Sequence, residues 1–75
     1  MALQSSADKL NTHESGIISE IIDESYLRRF LVLGIEPGAK ITVDRIAFFN
    51  GARIVNIDGN KFAMRRVELE MIVLK

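Results

Sequence analysis

Residues 33–43 read LGIEPGAKITV, and they place a helix stop, a tight turn and a strand start in one short stretch. Gly34 stands where a helix ends in a left-handed residue, and Pro37 three positions later prevents the helix from resuming. Glu36-Pro37-Gly38-Ala39 fits a type II turn, in which proline fixes the first corner and glycine accepts positive φ at the second. The stretch therefore turns a helix into a strand in the fewest residues, and everything around it is read from that corner.

Upstream, DESYLRRFLVLG (residues 23–34) reads as one short helix. Asp23 or Ser25 can cap it, since either side chain can accept from the orphan amides of the first turn. On a helical wheel Tyr26, Leu27, Phe30, Leu31 and Leu33 fall in one broad stripe, with Arg28 and Arg29 outside it. Before the helix, the β-branched run GIISEII (residues 16–22) reads as a strand. Ile17, Ser19 and Ile21 share one face and Ile18, Glu20 and Ile22 the other; Glu20 favours burial of the first set. Residues 1–15 are polar and aperiodic and are expected as a mobile tail, with Leu3 and Leu10 able to dock on a domain formed by residues 16–75. His13, alone in that tail, is expected to be solvated rather than a metal ligand.

Downstream, KITVDRIAFF (residues 40–49) changes the parity of its apolar residues. Ile41 and Val43 share one parity, Ile46 and Phe48 the other, so a bulge or bend is expected near Asp44 and Arg45. Asn50-Gly51 and Asp58-Gly59 are hairpin dipeptides suited to type I′ turns. A two-residue loop at Asp58-Gly59 pairs Val55 with Phe62 and Arg53 with Met64. Residues 65–70 suggest a turn or single helical turn, and MIVLK supplies a last strand with Ile72 and Leu74 on one face. The expected fold is mainly β: a small, partly open five-stranded barrel with one short helix after the first strand.

The chain has 75 residues with no cysteine and is 48% hydrophobic. A single domain of this size hides only about 60% of its unfolded surface. Disulfides and cysteine zinc sites are excluded, so stability must come from an aliphatic core. Ten basic and ten acidic residues cancel. Setting aside Lys9, Asp8 and Glu14 of the tail leaves nine basic against eight acidic residues, which speaks against phosphate-driven nucleic-acid binding. No apolar run approaches the roughly 20 residues needed to cross a bilayer, and the start lacks the pattern of a signal peptide. A soluble, cytoplasmic protein without direct membrane insertion is expected.

From residue 27 to 66 the order of motifs resembles the ferrous iron transport protein A (FeoA) family. A short helix carries arginines and ends in Leu33-Gly34; the Pro37-Gly38 turn leads into an alternating strand with Arg45 late in it. A glycine loop, a strand and a second glycine turn at Gly59 follow, then Phe62-Ala63-Met64-Arg65, then Val67 to Glu70 in place of the family's acidic helical turn. With the flanking strands the likeness covers about four-fifths of the chain. Two departures stand out: the approach to the first strand keeps only Leu10 and Gly16, and the middle loop reads Asn50-Gly51-Ala52 where the family often has Gly-Asp-Pro. The resemblance implies an SH3-like barrel in a bacterial cytosol and an accessory role in ferrous iron uptake, acting with a membrane transporter that carries a GTP-binding domain. Similar barrels end iron-dependent repressors, so that role is the alternative.

No catalytic group is expected, since the barrel lacks histidine and cysteine and its carboxylates are scattered. Asp44 reads as a bulge residue rather than a base. The glycines follow helices or sit in hairpins, so none cradles a phosphate, and no cofactor or tight metal site is expected. Arg45, Arg53, Arg65 and Arg66 with Phe48 and Phe49 could form a basic aromatic patch for nucleic acid, but surface pairing or a protein-facing patch fits a neutral domain better. The expected product is protein contact through Phe49, Arg53, Arg28 and Arg29, with weak self-association allowed. For Phe49, packing over the barrel mouth or onto the N-terminal tail is the alternative; for Arg28 and Arg29, a solvated helix face. Gly34, Pro37, Gly38, Gly51 and Gly59 are assigned to turns.

Overall fold

The structure is a computed structural model describing residues 5–47 and 51–75. Its elements are a 3₁₀ turn Ala7–Lys9, β1 Ser15–Ile21, α1 Glu24–Val32, β2 Lys40–Ile46, β3 Arg53–Ile57, β4 Asn60–Met64, α2 Arg66–Glu70 and β5 Ile72–Leu74. All strand pairs are antiparallel, in the order β4-β3-β2-β1-β5. Strands β4 and β5 are therefore sheet edges, and the expected barrel is corrected to an open five-stranded sheet. The helix after the first strand is present but runs Glu24–Val32 rather than over residues 23–34, and a second short helix, Arg66–Glu70, precedes β5.

The corner at residues 33–39 forms as read and does more than stop the helix. Gly34 (φ 85°) donates to Leu31 O at 3.1 Å and Ile35 donates to Phe30 O at 2.9 Å. These two bonds make a Schellman motif, which satisfies the last helical carbonyls and brings Ile35 back against Phe30. Both side chains are buried in the core. Ala39 then donates to Glu36 O at 3.1 Å with Gly38 at φ 94°, closing the type II turn. At the other end Asp23 caps α1, accepting from the amides of Ser25 and Tyr26.

The wheel overstated how much of α1 is buried. Phe30 is in the core and Tyr26 and Leu27 pack beside it, whereas Leu31 and Leu33 are 45% and 51% exposed. The helix lasts only from Glu24 to Val32, and its buried C-terminal position is taken by Ile35 after the Schellman turn.

The β2 irregularity is real: the β2–β3 register shifts between Val43 and Arg45, bulging at Asp44. Ile41 and Val43 are buried before it, but Ile46 after it is 43% exposed, so the switch does not bury that residue. Strand β1 also shifts register, between Ile18 and Glu20 against β5. Burial there goes to Ile18 and Ile21, not to the uniform set Ile17, Ser19 and Ile21. A bulge puts both isoleucines inward although their numbers differ in parity. The Asp58-Gly59 loop takes positive φ at both residues, 49° and 93°, and sets Val55 opposite Phe62 and Arg53 opposite Met64. Gly51 is at φ 67°, while Phe48, Phe49 and Asn50 lie outside the described residues.

The expectation of a mobile tail through Ser15 is also corrected from Ser5 onward. Ser6 bridges Val73, Leu74 donates to Ser5 O at 2.7 Å, and Ala7 is fully buried in the core. Leu10 packs against the core, as the sequence allowed. The His13 amide donates to Val43 O at 2.6 Å, extending the β2 ladder. No helix among the described residues is long and apolar enough to cross a membrane.

Candidate interaction surface

The four residues expected at a contact patch have different fates. Phe49 falls outside the described residues. Arg53, on β3, turns toward the N-terminal segment: its guanidinium donates to the carbonyl oxygens of Asp8 and, at 3.0 Å, of Leu10. Its Nε is buried without a hydrogen-bond partner among the described residues. A group so engaged holds the fold together and is a poor candidate for an exposed anchor. Its neighbour in that work is Asp8, whose side chain is only 3% exposed. Asp8 Oδ1 accepts from Ser6 Oγ, and Oδ2 lies 3.8 Å from Arg66 Nε. Neither Asp8 nor this role of Arg53 carried a sequence signal, because a small-residue run followed by an acid has no periodicity to mark it as docked.

Arg28 and Arg29 stay on the outer side of α1. Arg28 pairs with Glu24 at 3.0 Å, one helical turn back, with both side chains more than three-quarters exposed. Arg29 lies 5.1 Å from the centre of the Tyr26 ring and 4.0 Å from Glu68 of α2. Tyr26 in turn packs on Phe30, with ring centres 5.7 Å apart and tilted by 56°. Arg29 is thereby tied to the core and to α2, where Glu68 also accepts from the Arg65 amide at 2.8 Å as half of a capping box. Among the described residues Arg28 makes a surface pair of the kind that contributes little to stability.

Beside Arg28 the helix shows apolar surface. Val32, one turn on, is 86% exposed, and the exposed Leu31 and Leu33 flank it in sequence. Residues four apart on a helix lie on the same face, so Arg28 and Val32 form a basic–apolar pair directed at solvent. The sequence reading had assigned Leu31 and Leu33 to the core and so had no apolar component for this face.

The remaining features are structural. Three of the arginines proposed for a nucleic-acid patch are engaged within the fold: Arg65 and Arg66 pair with Glu68, Asp8 and Glu70, and Arg53 is bound to carbonyls. Asp44 at the bulge lies 3.1 Å from Lys61 Nζ. Among the described residues no pocket opens, and no three histidine, cysteine, aspartate or glutamate side chains converge as a metal site. Asp23 is held below the usual carboxylate range, chiefly by the hydrogen bond from the Ser25 side chain and then by the Tyr26 and Ser25 amides. That shift belongs to helix capping and marks no reactive acid.

Solved structures share this fold. The FeoA protein of Chlorobium tepidum is 30% identical, with 92% of this chain and 68% of that one covered and a TM-score of 0.81. FeoA of Stenotrophomonas maltophilia complexed with zinc, a prokaryotic SH3 domain protein, is 22% identical over 99% of this chain and 91% of its own, with a TM-score of 0.80. A manganese-dependent transcriptional repressor reaches a TM-score of 0.86 at 19% identity, but this chain spans 42% of it, so that likeness concerns the fold alone. No curated protein sequence matches. The FeoA domain model matches residues 6–75, so nearly the whole length is covered, including the N-terminal segment docked on β5. The chain belongs to the FeoA domain family, with an SH3-like fold.

Proposed function

We propose that this protein is a cytoplasmic, non-enzymatic accessory of bacterial ferrous iron uptake, which works by contact with the cytosolic GTP-binding domain of a membrane transporter. The observation that carries the reading is the outer face of α1, where Arg28 and the exposed Val32 stand together beside Leu31 and Leu33. An arginine beside exposed aliphatic surface has the composition of a contact patch. Family membership supplies the setting, and the Stenotrophomonas maltophilia relative has been put forward as a bacterial ferrous iron transport activating factor. The same face on a repressor-type regulatory domain is the second reading, supported by the shared fold.

Arg53 leaves the proposed patch because its guanidinium is occupied within the fold. Phe49, outside the described residues and between β2 and β3 in sequence, remains a separate candidate. The test compares Arg28→Glu with Val32→Asp, singly and together, in a pull-down with the transporter's cytosolic domain and in Fe(II) uptake by cells. Circular dichroism controls for folding. Loss of binding and uptake in a folded double variant supports the reading; normal binding and uptake removes α1 from it. Salt-resistant retention on DNA would favour the repressor-type role.

A further inference from the structure

Residues 5–10 occupy a groove that any chemically identical segment would fit. On one side lies the edge of β5 away from β1, where Leu74 donates to Ser5 O and Ser6 bridges Val73. On the other side Arg53 of β3 donates to the Asp8 and Leu10 carbonyls, and Arg66 of α2 approaches the Asp8 carboxylate. Ala7 fills the floor. The segment thus supplies in cis what an added strand supplies in trans: main-chain pairing for affinity, plus a small residue and an acid in fixed positions.

What joins the segment to β1 is a short, constrained hinge. Glu14 donates to Asn11 O at 3.0 Å, the Asn11 amide donates to Glu14 Oε1 at 2.7 Å, and between them His13 is held at φ 71°. A residue with a Cβ is disfavoured there. A short hinge under strain invites exchange of the element it connects, because every native contact is recovered in the second copy while the hinge relaxes.

We infer that two copies of this chain exchange residues 5–10, each segment lying in the other's groove between β5 and Arg53 and carrying its own Asp8 to the partner's Arg66. The occupant is a second copy because only that partner is guaranteed to bring the same strand register, the small residue at the floor and the carboxylate.

The test uses the full-length chain. Ser6 and Val73 are a facing pair that does not exchange hydrogen bonds directly, so their side chains approach closely enough for a disulfide. A chain carrying both Ser6→Cys and Val73→Cys should form an internal disulfide when dilute, which confirms the register. A concentrated equimolar mixture of the two single variants, both at half-exposed positions, should then be oxidised and analysed by mass spectrometry. Exchange predicts the crossed dimer, in which the Ser6→Cys chain is joined to the Val73→Cys chain, in clear excess over both like-with-like dimers. In the same assay His13→Gly, which removes the hinge strain, should lower the crossed yield about fivefold relative to His13→Val. Like-with-like dimers as abundant as the crossed one, or equal crossed yields from the two hinge variants, overturn the inference.

Discussion

Arg53 and Arg28 were both expected at a contact surface, and the fold treats them in opposite ways. Arg53 points at two backbone carbonyls of a segment more than forty positions away, and becomes a clasp between the N-terminal segment and the sheet. Arg28 pairs with Glu24 across one helical turn, and both side chains stay in solvent. The difference lies in the acceptors each one meets. Carbonyls in a non-repetitive segment lack ladder partners and must be satisfied by side chains or water. An exposed helix face has its carbonyls already bonded, which leaves its arginine free for another molecule. The residue type was visible in the sequence; the acceptor was not.

The largest effect should come from breaking the clasp. Arg53→Ala removes charged donors from two carbonyls and is expected to cost about 3 kcal/mol in urea unfolding. Amide exchange across residues 5–10 should quicken in the same variant. A loss of under about 0.5 kcal/mol would place Arg53 among ordinary surface side chains. Gly59→Val sets a scale for a purely local change: φ is 93° there, a value that a β-branched residue resists, and the expected cost is about 2 kcal/mol. An unchanged melting temperature would reject the type I′ turn.

Asp23→Ala sharpens the Arg28 side of the comparison, since the cap fixes the start of the helix that presents it. It should lower the melting temperature less than Gly59→Val does. The pH dependence follows from the lowered pKa of Asp23. A carboxylate depressed in the folded state contributes fully above its ordinary range, and that contribution disappears as pH falls through the lowered value. Wild type and Asp23→Ala should therefore converge in stability in acid; a constant gap down to that range would show that the charge is not what caps the helix. The smallest change is expected for Arg28→Ala, within about 0.5 kcal/mol of wild type, because its ion pair is exposed.

The contrast also marks what could be read before the structure. The LGIEPGAKITV corner, the β2 bulge and the Asp58-Gly59 turn were legible because each rests on local chemistry: a residue able to take positive φ, a fixed proline, a switch of parity. The β3–β4 register followed from the turn. The docking of Ala7 and Asp8 was not legible, because it depends on β5 and α2, which arrive some sixty residues later. The β1 shift escaped for the same reason, being imposed by pairing with β5. Ile35 was passed over because it lies beyond the helix, and only the Schellman geometry returns it to Phe30.

For the candidate site, the arginines were found and their partners were not. Arg28 and Arg29 were placed outside the buried stripe, as observed, while the apolar half of the face was hidden in residues assigned to the core. A wheel assumes a helix long enough to bury one full stripe; α1 ends before Leu33 can turn inward.

The claim that this face is the working surface is tested most directly by calorimetric titration of the transporter's cytosolic GTP-binding domain with wild type and with the Arg28→Glu, Val32→Asp double variant. The account predicts at least about a tenfold loss of affinity, equivalent to 1.4 kcal/mol, with the melting temperature of the variant close to wild type. Unchanged affinity in a folded double variant would contradict it.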